Sequence, residues 1–111
     1  MPDKSMTDPM LAHMTFFVLA DKSPQAQARF MDACRKYLGN HKGQVYFSVG
    51  PRAQEMRRDV NDLTFDIGMH MAFANATAYD EYLNDPRHAQ FIAETDGMSP
   101  SRRVFDSHID P

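Results

Sequence analysis

The sequence predicts an α+β domain, a single four-stranded antiparallel sheet with helices on one face. Three observations predict it. Residues Leu63 to Phe73 put Leu63, Phe65, Ile67, Met69, Met71 and Phe73 on one parity and Asp66, Gly68, His70 and Ala72 on the other, the two-residue period of a strand. Phe30, Ala33, Cys34, Tyr37 and Leu38 recur at helical spacing and form one apolar stripe. Strand-like and helix-like segments follow one another as strand, helix, strand, strand, helix, strand, the split arrangement of ferredoxin-like folds.

Taken in order, Met1 to Pro9 is polar, holds two prolines and shows no period, so it reads as a flexible tail before a single domain over residues 10–109. Met10 to Leu19 is apolar on both parities, which predicts a strand buried on both faces. Asp21-Lys22 turns the chain, Ser23-Pro24 supplies a helix cap and first-turn proline, and Gly39 stops the helix that carries the Phe30 stripe. Gln44 to Val49 alternates as a strand and ends at Gly50-Pro51. Arg52 to Asp62 is a polar, exposed connection, after which the Leu63 to Phe73 strand begins. Asn75 caps a short helix running to Leu83, Asp85-Pro86 starts another, and Gly97 with Pro100 closes it. Arg102 to His108 is the last strand. Two helical layers cannot cover both sides of such a sheet, so a second copy of the chain is expected against the open face, where His70 also falls, as a homodimer.

Composition narrows the function. At 111 residues the chain forms one core. A net charge of −3, with arginine pairs only at Arg57-Arg58 and Arg102-Arg103, argues against nucleic acid. Met10 to Ala20 is apolar enough to suggest a secretory leader, but His13 interrupts it, Asp3 and Asp8 acidify what precedes it, and its removal would delete the first strand. No run approaches the roughly 20 apolar residues of a membrane helix. The lone Cys34 permits no internal disulfide. A cytoplasmic protein away from membranes is expected.

The chemistry concentrates near the last helix. His88 falls in its first turn, and Phe91, Ile92 and Thr95 follow at i+3, i+4 and i+7, so the imidazole points inward with them. The electropositive helix start favours a neutral ring able to accept a proton, while the Asp85 carboxylate works the other way. Tyr82, just before the break, can bring a hydroxyl to the same cavity. The alternative is a hydrogen-bonded core histidine beside an ordinary packed tyrosine. His13, on the buried first strand, reads as a structural histidine bonded to a backbone carbonyl or to Tyr82. No HxH or HExxH pattern occurs, and Asp66 and His70, four apart on a strand, stand roughly 13 Å from each other, so neither metal nor cofactor is expected. Cys34 reads as a small core residue, the methionines as core filler, and His41 and His108 as exposed.

Leu11-Ala12-His13 with Thr15 and Phe17, Ser23-Pro24 with Phe30, Tyr46 to Gly50, Phe65-Asp66, Tyr82 followed by Asp85-Pro86-Arg87-His88, and Phe105-Asp106 together resemble the stress-responsive A/B barrel (Dabb) family over roughly residues 10 to 107. The resemblance implies a ferredoxin-like homodimeric α/β barrel. It implies an activity only through the plant polyketide cyclase that makes olivetolic acid by an intramolecular aldol condensation. Onto its tyrosine and second histidine fall Tyr82 and His88, as hydroxyl and base, and His13 matches a further histidine of that cavity. Phe30, Met31, Ile67, Met69 and Phe91 fall at or beside its apolar lining, and Thr15 and Phe17 accompany His13. Asp85 replaces the first histidine of the segment, Cys34 an aromatic, and Arg102 an aliphatic residue at the end of the tail pocket. An inward Arg102 would suit a small acid or polar ketone. The expectation is a cofactor-free cyclase or isomerase acting on a small β-keto compound. The alternatives are a non-catalytic small-molecule binder or stress-response barrel, and a cofactor-free oxygenase.

Overall fold

The computed structural model describes residues 8–110. Of the expected tail, Met1 to Thr7 therefore lies outside the described residues. The elements run β1 (Met10–Val18), α1 (Pro24–Leu38), β2 (Gln44–Pro51), β3 (Ile67–Phe73), α2 (Ala76–Leu83), α3 (Pro86–Glu94) and β4 (Ser101–Ile109). The four strands form one sheet in the order β2-β3-β1-β4, with every neighbour antiparallel. This is the ferredoxin-like topology.

The helices start where the sequence places their caps. The Ser23 hydroxyl accepts from the Ala26 amide at 3.2 Å, Asn75 Oδ1 from Ala78 at 2.8 Å, and Asp85 Oδ1 from Arg87 at 2.8 Å; each satisfies an amide that the first turn leaves unbonded. The helical layer is then tied together at its polar ends. Arg87 Nη2 donates to the carbonyls of Lys36 at 2.6 Å and Gly39 at 2.9 Å, so the head of α3 is fastened to the tail of α1.

Strand β1 organises the core. Leu11, His13, Thr15 and Phe17 are buried under the helices, and the intervening residues are only half-buried on the opposite face. The expectation of two buried faces therefore holds for one face of the isolated chain. Phe17, Phe30 and Phe91 meet edge-to-face, with centroids 4.8, 5.8 and 6.5 Å apart, and join β1, α1 and α3. The open face carries Met14, Phe16, His70 and Phe105, with His70 exposed as expected.

The third strand begins later than its sequence pattern suggests. Leu63 to Asp66 precede β3, where Asp66 ties the entering chain to the end of β1 and to Arg52. Its carboxylate accepts from the Leu19 amide at 2.8 Å and Lys22 Nζ at 2.7 Å, and its backbone bonds Phe17 and Arg52. Leu63 is left exposed, and Phe65 packs on Phe16 of the open face, 4.9 Å between centroids, not beside Ile67. No helix among the described residues is long and apolar enough to cross a membrane.

Candidate active site

Between α2, α3 and the sheet lies a cavity of about 150 Å³. Its walls bring together both expected chemical groups, Tyr82 and His88, with His13, Thr15, Phe17, Met69, Phe91 and Arg102. Phe30 lines an adjoining hollow of about 180 Å³ that shares Phe17, Phe91, Ile92 and Arg102 with the first. Met31 is a half-buried residue packed against the core. Cys34 and Ile67 are sealed within the core at 0% exposure, as packing under the cavity and not wall.

The Tyr82 and His88 rings meet edge-to-face with centroids 5.2 Å apart. Burial lowers the proton affinity of His88 first, and the charges of Arg102, His13 and His41 add to it. The ring is therefore a neutral base, and the cause differs from the helix-start argument: desolvation and a neighbouring guanidinium dominate. Tyr82 is 2% exposed. Burial pushes its phenol well above the usual range, with Tyr79 and Cys34 contributing, so it stays protonated and can only donate to an anionic oxygen.

His13 is held by groups that the sequence reading did not assign. Its Nδ1 lies 2.6 Å from Asp106 Oδ1, and its Nε2 lies 3.2 Å from the Thr15 hydroxyl. The carboxylate can only accept, so Nδ1–H donates and, in the neutral ring, Nε2 accepts from Thr15. The Tyr79 hydroxyl donates to Asp106 Oδ2 at 3.2 Å. Its own proton is held tightly, with the pKa pushed up to about 12 by burial first and by Asp106 second. The expected backbone or Tyr82 partner of His13 is thus replaced by a carboxylate from the strand directly opposite, where His13 pairs with Asp106.

His41 is the plainest correction. It was expected in solvent, yet it is 9% exposed. Its Nε2–H donates to the Tyr37 carbonyl at 2.7 Å, Nδ1 stands 4.0 Å from Asp85 Oδ2, and its ring meets Tyr82 at 5.0 Å on a perpendicular plane. Tyr82 thereby meets two imidazoles, His41 from the loop after α1 and His88 from the first turn of α3. The roomier hollow of about 420 Å³, lined by Arg29, Asp32, Lys36 and Glu94, lies between α1 and the end of α3. It brings together solvated charges with no nucleophile or depressed base, so the smaller inner cavity is the chemical site. Among the described residues no three His, Cys, Asp or Glu side chains gather to hold a metal ion.

Fold and cavity together define a ferredoxin-like α+β protein with a small, partly polar pocket between helices and sheet. The family profile of the stress responsive A/B barrel domain (Dabb) matches residues 11–109, and the chain belongs to that family. A search of curated proteins finds no match. Among solved structures, a Dabb-family protein with a ferredoxin-like fold from Mesorhizobium loti is 22% identical, with 94% of this chain and 100% of that one covered and a TM-score of 0.75. A dimeric ferredoxin-like protein of unknown function from Thermobifida fusca is 13% identical, with 93% of each chain covered and a TM-score of 0.75. The hydroxynitrile lyase of Passiflora edulis is 12% identical, with 92% and 94% covered and a TM-score of 0.72. At these identities the likeness is one of fold.

Proposed function

We propose that the protein is a cofactor-free enzyme that moves a proton on a small carbonyl compound, as a cyclase or isomerase. The observation that carries this reading is that His88, a half-buried imidazole biased towards its neutral form, and Tyr82, a phenol held protonated, line one cavity. His88 removes a proton from the carbon beside a carbonyl, and the C–H electrons pass to the carbonyl oxygen. The Tyr82 O–H stabilises the resulting enolate. The enolate carbon then either attacks a second carbonyl of the same molecule, forming a C–C bond while the imidazolium returns its proton to the new alkoxide, or the proton returns to a different carbon. His13, oriented by Asp106, stands in the same wall.

We also propose that the working form is a homodimer. The open sheet face presents Met14, Phe16 and Phe105, and Phe105 is 47% exposed in the single chain. The relative from Thermobifida fusca is described as dimeric.

The test is exchange of carbon-bound protons for deuterium in a panel of small mono- and diketones, followed by NMR. The wild-type chain is expected to accelerate exchange, His88→Gln to abolish the acceleration, and Tyr82→Phe to reduce it roughly 10²–10³-fold, the usual effect of losing one oxyanion donor. No acceleration over buffer across the panel, or full acceleration by His88→Gln, overturns the reading. A binder without catalysis would shift resonances lining the cavity and leave the exchange rate at its background.

A further inference from the structure

We infer that the substrate is a keto acid whose carboxylate seats on Arg102 while its carbonyl lies against Tyr82 and His88. This rests on the proton-transfer reading above and names the class of molecule that the same cavity takes. Three observations lead to it.

The first is direction. Arg102 opposes Phe17 in the β1–β4 register, which puts it on the helix side of the sheet. Its side chain lines both inner hollows, and Phe17 and Phe91 form the apolar stretch that the two share. The second is the state of its charge. Arg103, one residue on and facing the other side, is matched by Asp62 at 2.6 Å and by the Thr64 hydroxyl at 3.2 Å. Asp106, on the same face as Arg102, is occupied by His13 and Tyr79. Asp96 lines the adjoining hollow, yet no ion pair among the described residues joins a carboxylate to Arg102. A guanidinium beside an apolar pocket, with no carboxylate partner among the described residues, matches the geometry of a carboxylate.

The third observation is chemical. Enolising a molecule that already carries a carboxylate produces a dianion, which is costly where water is scarce. Arg102, exposed at the cavity's edge, brings a cation that offsets that charge as it develops. Arg102 is also the largest charge acting on His88, after burial, in keeping its imidazole neutral. At about 150 Å³ the inner hollow is well below the roughly 300–1,000 Å³ that drug-sized ligands fill, so the keto acid is short.

The experiment titrates the full chain with 4-oxopentanoate and, separately, its neutral methyl ester, following the His88 ring resonances by NMR. The acid is expected to bind roughly tenfold or more tightly than the ester, the usual worth of a charge-assisted hydrogen bond. Arg102→Gln should erase that preference, with the ester still moving the His88 resonances as the report of an intact cavity; Arg102→Lys should keep part of it. Equal binding of acid and ester by the wild type, or a preference that survives Arg102→Gln, overturns the carboxylate assignment and leaves the carbonyl site standing. If neither compound moves the His88 resonances, the carbonyl site falls with it.

Discussion

Replacing Gly43 by alanine tests how the loop after α1 seats the helix that carries Tyr79 and Tyr82. Gly43 has a φ of +77°, and the Cβ an alanine would add falls 2.5 Å from the Cβ of Ala78. Carbon atoms in ordinary contact stand about 3.5–4.0 Å apart. Gly97 has the same φ of +77°, but nothing stands within 4 Å of its added Cβ. The two substitutions therefore share one backbone cost and differ in one contact. The left-handed conformation costs about 1–2 kcal/mol for a residue with a side chain, which is the loss expected for Gly97→Ala. Gly43→Ala adds an overlap costing about 1–3 kcal/mol more. The helix cannot slide away cheaply, since the Gly43 carbonyl holds the Ala74 amide at 2.8 Å and Asn75 caps Ala78 at 2.8 Å. Denaturant unfolding of both variants measures the difference directly. Adding Ala78→Gly to Gly43→Ala should recover most of the extra loss, less roughly 0.5–1 kcal/mol for a glycine inside a helix. Equal losses at Gly43 and Gly97 would refute the argument from contact.

Three further outcomes follow from the site. Burial pushes the Cys34 thiol up to about 12, so the native chain should resist iodoacetamide at pH 8 and label fully only on unfolding; stoichiometric labelling of native protein would contradict the sealed core. The folded-state pKa of His88 lies below its ordinary value of 6.5. The unfolded chain therefore binds that proton more readily, and the stability His88 contributes is present above pH 6.5 and lost as pH falls through the lower folded value. His88→Gln should flatten that limb of the stability curve, and an unchanged limb would assign it to another group. His41→Leu keeps bulk against Tyr82 but strands the Tyr37 carbonyl, an expected loss of about 1–3 kcal/mol by thermal or denaturant unfolding. Wild-type stability in that variant would mean that water serves the carbonyl equally well.

What the sequence disclosed was mostly local. Caps at Ser23, Asn75 and Asp85 announce themselves because a short polar side chain before a helical stripe has a particular amide to satisfy. The inward direction of His88 follows from its spacing to Phe91, and His88 duly lines the cavity with Tyr82. What the sequence hid depends on contacts across long separations. Asp106 meets His13 across 93 positions, and only the β1–β4 register, invisible in a single sequence, brings them opposite each other. His41 sits among polar loop residues and gives no apolar period to mark it; its burial comes from α2 folding back over the loop. Leu63 and Phe65 continue the alternation of β3, but an alternating pattern cannot report that Phe65 turns to Phe16 on the open face while Leu63 stays in solvent.

Arg102, Val104 and Asp106 reach the cavity or its histidine from β4, a strand bonded to the sheet through β1 alone. A border strand frays at lower cost than an interior one, so loosening of β4 would open that wall of the pocket. Occupancy of the pocket should then register at a distance, as slower amide exchange along Ser101–Ile109 with that of β3 unmoved. Arg102, Val104 and Asp106 thus tie the shape of the hollow to the fraying of the sheet's edge.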